Sequence, residues 1–293
     1  MILMTIKKML IMAAIGLSGL GLAACGNNSA DAGKAADRID LVSRENGSGT
    51  RGAFTEMTGI LKKDGDKEID QTAKTAIIQN STEGVISSVK GNSRAIGYIS
   101  LGSLNSDVAA LKVNGVKASR ETILEGKYPL QRPFNIVWSS DLSGVGKDFI
   151  TFIDSKQGQE IVRDNRLIEA KTDAPAYSSK GLSGKLSIVG STSVSPLMEK
   201  LAEAYKKENP AISIDITSNG SSAGITAVKE KTADIGMVSR DLTTEESKGL
   251  IDDAIALDGI VVIVHKDNKV SNIGIDVLAD VFSGKLTSWD KVK

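Results

Sequence analysis

The sequence predicts an α/β fold, in which strands and helices alternate along the chain. Three observations support this prediction. Apolar runs of strand length are followed by Gly/Ser/Thr loops and then by segments with apolar residues at helical spacing, and this order recurs. Residues 255–264 have the character of one long buried strand. Residues 171–183 lose all periodicity and are rich in Ser, Gly, Ala and Pro, which indicates a linker.

The first 24 residues have the pattern of an export signal. Lys7 and Lys8 precede an apolar run that ends in the sequence LAAC, whose cysteine is Cys25. This ending resembles the lipobox of bacterial lipoproteins, which implies that Cys25 becomes a lipidated N-terminus. A plain secretory signal with an incidental cysteine is the alternative. Residues 25–37 are small and polar and are predicted to be a flexible tether.

The composition is that of a soluble chain long enough for two domains, with 293 residues, 41% hydrophobic and 25% charged. Aromatic residues make up only 4%, which argues against a stacking surface for nucleic acid. Without residues 1–24, 34 basic and 36 acidic residues remain, so no basic surface for nucleic acid is expected. Cys25 is the only cysteine, and the fold must therefore be stable without a disulfide.

Residues 43–51 (SRENGSGTR) form the first strand–loop–helix junction. They follow the apolar run 39–42 and precede a segment of helical spacing. Free N–H groups at the start of that helix, the Ser48 and Thr50 hydroxyls and the Arg44 guanidinium predict an anion site. Further along, residues 62–66 are predicted to be a polar turn and residues 82–89 a short helix capped by Ser81 or Thr82.

The pattern of strand, loop and helix continues on both sides of the linker. Strands are predicted at residues 95–100 and 134–138, the latter with a boundary at Pro133. After the linker, strands at 185–189, 212–216 and 233–238 are each followed by a loop rich in Gly or Ser. Ligands of such folds bind at the carboxyl ends of the strands, which is where these hydroxyls fall.

An enzyme is not expected. The chain has one histidine, His265, and Ser48 has no recognisable base to activate it. No Cys/His cluster suggests a metal site, so neither a metal nor a cofactor is predicted.

Several motifs together resemble the phosphate-binding proteins of bacterial phosphate ABC importers. They are SRENGSGTR at 43–51, GSTSVSPL at 190–197, NGSSAG at 219–224, ADIGMVSR at 233–240 and FSGKLTSW at 282–289. The resemblance covers nearly all of residues 38–293 except the linker. In the family, the GSTSVSPL half precedes the SRENGSGTR half, whereas here the order is reversed. The chain therefore resembles a circularly permuted member of the family.

The resemblance implies a two-lobed type II periplasmic-binding-protein fold with a hinged cleft, circularly permuted. One lobe would comprise residues 38–131 plus 265–293, and the second residues 132–264, including linker 171–183. Two strands would cross between the lobes near residues 132–137 and 260–264, and Arg38 and Lys293 would lie near each other. A truncated piece of a longer tandem protein, or a misassembled gene, is the alternative to a permuted chain.

The resemblance also implies the phosphate ligands. These are Arg44, Ser48, Gly49 and Thr50 in one lobe, and Thr192, Ser193, Val194, Ser195, Ser221 and Ser239 in the other. Arg44 would be the charge partner. Some family members have an aspartate after the last strand that accepts a hydrogen bond from protonated phosphate. Here Arg240 and Asp241 follow Ser239, and which of them takes part stays open.

The implied function is the capture of inorganic phosphate outside the cytoplasm and its delivery to an ABC importer. The partners would be the permease and ATPase subunits, with a lipid anchor in the cell membrane and no nucleic acid, and the protein is expected to be a monomer. Two alternatives remain: a binding protein for another oxyanion, such as sulfate or molybdate, and a phosphate sensor or surface interaction protein without transport.

Overall fold

The structure is a computed structural model that describes residues 37–65 and 67–292. Its strands are β1 (Asp40–Arg44), β2 (Leu61–Asp64), β3 (Lys67–Asp70), β4 (Ile77–Gln79), β5 (Ala95–Ser100), β6 (Ala109–Ala110), β7 (Lys112–Val113), β8 (Gln131–Trp138), β9 (Ile168–Glu169), β10 (Gly184–Gly190), β11 (Ile212–Ser218), β12 (Ile235–Val238), β13 (Ile251–Val264) and β14 (Asn272–Ile273).

The helices alternate with these strands over most of the chain. They are α1 (Gly49–Met57), α2 (Thr82–Lys90), α3 (Arg120–Leu124), α4 (Gly144–Ile153), α5 (Lys156–Asp164), α6 (Ser195–Glu208), α7 (Ser221–Lys229), α8 (Thr244–Ser247) and α9 (Ile275–Phe282), with 3-10 turns at Leu101–Ser103 and Trp289–Lys291. Most begin at a polar cap, as Ser81 shows for α2, where its side chain accepts from the Gly84 N–H.

One mixed sheet runs through the molecule in the order β11-β10-β12-β8-β13-β5-β1-β4, with β6 and β9 also pairing with β13. The strands at each end are parallel: β10 pairs in this way with β11 and β12, and β1 with β4 and β5. Between these blocks β8 and β13 are antiparallel to each other and to their outer neighbours. Two parallel α/β units are therefore joined by two long central strands.

Two large hydrophobic cores lie on either side of the junction. Apart from Ile168, the first core draws on residues 39–130 and 260–292, and the second on residues 134–256. We call residues 38–131 with 260–292 the first lobe and residues 132–259 the second lobe. The sequence placed residues 260–264 in the second lobe, whereas their side chains pack in the first core. The boundary falls inside β13 because one uninterrupted strand serves both cores.

Two local predictions were wrong. Residues 62–64 are not a turn: they lie in strand β2, which pairs with β3 in a hairpin where Leu61 faces Asp70, and Gly65, where φ is +59°, lies in the turn. Such a φ suits glycine, which lacks the Cβ that would clash. Pro133 is not a strand boundary but lies inside β8 opposite Leu257, close to a register shift in β13, and irregular pairing tolerates a residue without an N–H.

The two ends of the described chain meet in the first lobe. The Ile39 N–H donates to the Thr287 carbonyl at 2.9 Å, and the Trp289 N–H donates to the Asp37 carbonyl at 2.7 Å. This closeness agrees with what the resemblance implies for the chain ends. The predicted signal, Cys25 and all of the tether except Asp37 lie outside the described residues.

The linker has no helix or strand at residues 171–183, as the sequence predicts, but it is firmly attached to the second lobe. The Lys156 N–H donates to the Pro175 carbonyl at 2.8 Å. Tyr177 is buried, and its hydroxyl donates to Asp148 Oδ2 at 2.6 Å. The linker is therefore an ordered strap.

Candidate anion-binding site

The loops predicted to bind an anion lie where strands of both lobes end. Arg44 is the last residue of β1, Gly190 the last of β10 and Ser218 the last of β11, while Ser239 directly follows β12. Helices α1, α6 and α7 begin just beyond three of these strand ends. Their first N–H groups have no partner within the helix, so this edge favours negative charge.

Arg44 is the buried cation of the site, with 2% of its surface exposed. Its Nε and Nη2 donate to the two carboxylate oxygens of Glu45, at 2.8 and 2.7 Å. Nη1 approaches the Thr82 hydroxyl at 3.5 Å. Glu45 thus offsets the buried charge and fixes the guanidinium plane, which leaves Nη1 directed at hydroxyl groups.

The beginning of α1 meets the beginning of α7 across the two lobes. Ser48 caps α1 by accepting from the Arg51 N–H at 3.3 Å. The next residue is Gly49, where a Cβ would lie 2.6 Å from Ser239 Oγ and closer still to Ser221 Oγ. Only a residue without a side chain allows the lobes to approach this closely.

Four hydroxyls, two from each lobe, form a connected group that we call the hydroxyl cluster: Thr50, Thr82, Thr192 and Ser193. Thr50 and Ser193 are 2.8 Å apart, and Thr82 lies 3.2 Å from both Thr192 and Ser193. Each is at most 9% exposed. Because a hydroxyl both donates and accepts, such a cluster can turn its protons toward a bound anion.

A second group of hydroxyls lies wholly in the second lobe. Ser221 and Ser239 are fully buried, and Ser221 Oγ accepts from the Ser239 N–H at 3.1 Å. The Ser191 hydroxyl donates to Ser239 Oγ at 2.9 Å. These contacts hold the end of β12 against the first turn of α7 and the loop that follows β10.

A buried ion pair lies beside Ser239. Arg132 on β8 donates through Nε and Nη2 to Asp258 Oδ2, at 3.2 and 3.1 Å, and through Nη1 to the Ser239 carbonyl at 2.8 Å. Asp258 on β13 also accepts from the Ser100 hydroxyl at 2.8 Å. Burial lowers the pKa of Arg132, with a smaller contribution from the Arg44 guanidinium. The pair joins both central strands to the Ser239 loop.

Not every predicted ligand points into the hydroxyl cluster. The Ser195 hydroxyl donates to Glu199 Oε1 at 2.9 Å and accepts from Ser218 Oγ at 2.6 Å, so it is engaged by its own helix and by the end of β11. Val194 is a buried apolar residue just before α6, where only its backbone could serve a ligand.

Arg240 and Asp241, which follow Ser239, have their contacts away from the hydroxyl cluster. Arg240 forms a double contact with the Glu246 carboxylate, at 2.6 and 2.7 Å, and Asp241 is exposed. Among the hydrogen bonds of the described residues, none links either side chain to the hydroxyl cluster. Glu45 is the carboxylate that contacts Arg44, and no carboxylate of the described chain bonds to the cluster itself.

Two residues of the site were missed as ligand candidates from the sequence. Thr82 was considered only as a helix cap, yet its hydroxyl joins the cluster while Ser81 caps α2. Ser191 belonged to the predicted loop but was not selected, although it holds Ser239. The sequence did show hydroxyl residues after each strand end. Which of these hydroxyls meet depends on the order of the strands in the sheet.

A cavity of ≈ 620 Å³ lies between the lobes next to Ser48 and Ser222. Two of the residues that line it, Ser222 and Gly47, join the lobes: the Ser222 N–H donates to the Gly47 carbonyl at 3.1 Å. Over residues 37–65 and 67–292, no group of His, Cys, Asp and Glu has the arrangement of a metal site. No helix within these ranges has the length and apolar character needed to cross a bilayer.

Two α/β lobes that bring hydroxyls from both sides to one buried guanidinium are typical of the solute-binding class of proteins. The PBP superfamily domain matches residues 26–157 and 172–292. The chain belongs to this superfamily and, within it, to the family of PstS phosphate-binding proteins. This result confirms the predicted family and α/β binding-protein fold.

The relatives match the chain in its own order. It is 72% identical over 291 residues to Phosphate-binding protein PstS 2 of Streptococcus pneumoniae TIGR4, which covers 99% of this chain and 100% of the relative. It is 46% identical to PstS 2 of Streptococcus agalactiae strain 2603 V/R, over 97% of both chains. A crystal structure of a phosphate ABC transporter phosphate-binding protein from S. pneumoniae TIGR4 has a TM-score of 0.71 and 74% identity, covering 87% of this chain and 100% of that one.

Proposed function

We propose that this protein captures inorganic phosphate in the cleft and delivers it to the permease of an ABC importer, without chemistry on the ligand. The observation that carries the proposal is Arg44, a buried guanidinium whose Nη1 contacts the Thr82 hydroxyl of a cluster built from both lobes. Phosphate bound there would be held by hydroxyls and helix N–H groups, with Arg44 supplying charge. The names of the relatives support the same ligand and the same transport system.

The remaining parts of the proposal concern the setting of the protein. The LAAC sequence supports lipid anchoring through Cys25 on the outer face of the cell membrane. The permease and ATPase subunits of the importer are the proposed protein partners, and the receptor is proposed to act as a monomer. The proposed ligands are Arg44, Ser48, Gly49, Thr50, Thr192, Ser193, Val194, Ser195, Ser221 and Ser239.

A second candidate is a receptor for another oxyanion, and one observation favours it. Asp241 is exposed, and no carboxylate of the described residues bonds to the hydroxyl cluster. A carboxylate would accept a hydrogen bond from protonated phosphate and repel sulfate, which has no proton at neutral pH. Without one, selectivity must come from hydroxyls that accept from the ligand, and these discriminate less strongly.

The test is calorimetric titration of the chain starting at Asn27, with phosphate and then with sulfate, at neutral and mildly acidic pH. We expect tight binding of phosphate with no heat from sulfate. Comparable affinity for both anions would favour the general oxyanion receptor. No binding of phosphate by the folded chain would refute the proposal and favour a sensor or interaction protein.

A further inference from the structure

Thr82 occupies an unusual position in the site. It is the first residue of α2 and is 3% exposed, at the point where the first lobe faces the second. The helix does not need its side chain, because the preceding Ser81 accepts from the Gly84 N–H at 3.0 Å. Nor is its N–H used within the helix, since the first N–H groups of a helix have no internal partner.

The N–H and the hydroxyl of Thr82, which the helix does not use, both contact the second lobe. The Thr82 N–H donates to Thr192 Oγ1 at 3.3 Å, and the Thr82 hydroxyl lies 3.2 Å from Thr192 Oγ1 and 3.2 Å from Ser193 Oγ. The same hydroxyl accepts from Arg44 Nη1. Thr82 therefore links the buried cation to the facing hydroxyls, and all its polar side-chain partners are proposed phosphate ligands.

A purely structural role would not explain this arrangement. Burying a hydroxyl without a strong partner costs free energy, and valine would fill the same volume without that cost. The contacts of Thr82 are hydroxyl to hydroxyl at 3.2 Å, longer than the common distance for such bonds. Hydroxyls that crowd around a guanidinium at the start of a nine-residue helix are placed to donate to an anion.

We propose that Thr82 is a direct phosphate ligand, which donates through its hydroxyl and its backbone N–H, so that α2 adds a further helix N-terminus to the site. The inference rests on the proposed phosphate function. In the bound state the Thr82 hydroxyl accepts a hydrogen bond from Arg44 and donates one to a phosphate oxygen, while Thr192 and Ser193 donate from the opposite side.

The test compares three variants with the wild-type chain by phosphate calorimetry. Thr82→Val removes the hydroxyl but keeps the volume and the backbone N–H, and Thr82→Ser keeps the hydroxyl. We expect at least a fivefold loss of affinity for Thr82→Val and less than a twofold loss for Thr82→Ser. Thr58→Val is the matched control, because the Thr58 hydroxyl is also buried in the first lobe but donates to the Phe54 carbonyl at 2.7 Å.

The outcomes separate the inference from the function on which it rests. If wild type binds phosphate and Thr82→Val loses less than fivefold, Thr82 is not a ligand. A Thr82→Ser loss as large as that of Thr82→Val, or a fivefold loss in Thr58→Val, would also overturn the inference, because the effect would then follow from packing. If Thr82→Val does not fold, Thr82→Ala is held to the same threshold. Failure of wild type to bind phosphate would instead refute the proposed function.

Discussion

Arg44 combines full burial with a carboxylate partner on only one side of its guanidinium. Glu45 binds the Nε and Nη2 edge, and the Nη1 edge meets the hydroxyl cluster. Glu45 offsets part of the cost of burying this cation, while Nη1 stays on the side of the hydroxyl cluster. Charge compensation by Glu45 also implies that the site can release its anion, since an uncompensated buried guanidinium would hold it more tightly.

We expect Arg44→Ala to weaken phosphate binding by about 2–4 kcal/mol, because a charge-assisted contact is lost and Glu45 is left without its cation. Calorimetric titration measures the change. Arg163→Ala is the control, since Arg163 is half exposed and lies on α5 of the second lobe. Affinity of Arg44→Ala close to that of wild type would remove Arg44 from the site.

The Arg132–Asp258 pair is expected to matter first for stability. Arg132→Met leaves the fully buried Asp258 carboxylate without its counterion, which costs about 3–5 kcal/mol in the free energy of unfolding. Urea unfolding without phosphate measures this cost. Lys231→Met breaks the exposed Lys231–Asp141 pair and should change the free energy of unfolding far less than Arg132→Met does. Equal effects in the two variants would show that burial of the Arg132–Asp258 pair is not the cause.

At the residue scale, the sequence predicted the residue types of the site better than their partners. Thr50, Thr192 and Ser193 were selected as ligand candidates, and the structure brings their hydroxyls together. Thr82 could not be selected in this way, because it is the first residue of a helix whose position depends on the pairing of β1 between β4 and β5. The order in which distant strands pair cannot be predicted from the local spacing of residues.

At the scale of elements, two helix starts approach each other closely across the two lobes. The first turn of α1 reaches that of α7 because Gly49 has no side chain. Substitution there tests closure separately from folding, since alanine is a better helix former than glycine.

We expect Gly49→Ala to leave the unfolding temperature of the phosphate-free chain unchanged or slightly higher, while it lowers phosphate affinity at least tenfold. The added methyl group would displace Ser221 and Ser239 and keep the lobes apart. Thermal unfolding and calorimetry give the two readouts. Gly144→Ala is the control, because a Cβ at Gly144, the first residue of α4, meets nothing within 4 Å. Unchanged affinity of Gly49→Ala would show that the lobes need not approach this closely.

The end of α4 predicts a pH effect. Burial, together with the neighbouring Asp253, raises the pKa of Asp154 to about 6, while Lys171 of the linker acts in the opposite direction. The pKa of this carboxyl is thus higher in the folded than in the unfolded chain, and the folded chain binds more protons between the two values. Its contribution to stability is present at low pH and is lost as pH rises through about 6.

Asp154→Asn should remove that contribution. We expect the variant to gain stability relative to wild type as pH is raised from 4 to 7, because the buried charge no longer forms. The measurement is the difference in unfolding temperature between the two proteins across this range. Other titrating groups, such as Asp70, whose pKa is lowered, affect both proteins equally, so their pH dependence drops out of the difference. A difference that stays constant with pH would contradict the prediction.

Elements were predictable where their pattern was local. The strand–loop–helix junctions came from apolar runs followed by Gly/Ser/Thr loops, and the fold class followed from their repetition. The β2–β3 hairpin was missed because its strands carry charged residues and lie outside the main sheet, so burial leaves no alternating pattern in them. The division between the two cores inside β13 was not predicted, because residues 255–264 have the pattern of one continuous buried strand.

For the molecule as a whole, the order of the two halves is the main open proposal. Matches to relatives of the same order do not show a permutation, but two observations support it. Residues 37–39 lie against residues 287–289, and the strap at 171–183 spans the other connection without a helix or strand. Permutation at an exposed loop preserves the packing of both cores.

We expect a rearranged chain to keep its function. If Val292 is joined to Asp37 by a short Gly/Ser linker and the chain is opened between Lys180 and Gly181, the new ends lie at an exposed turn beyond the Tyr177 anchor. The rearranged protein should bind phosphate within threefold of wild type. Opening the chain between Val261 and Val262, inside β13, is the control and should abolish folding. Failure of the first arrangement to fold would count against the permuted description.

The meeting of the two chain ends in one lobe has a mechanical consequence. A force that pulls on the chain before residue 37 acts next to the hydrogen bonds of Ile39 with Thr287 and of Trp289 with Asp37. Tension there is carried by the first lobe alone. The second lobe is connected to the first through β8, β13 and the contacts across the site, so it can move while the first lobe stays fixed.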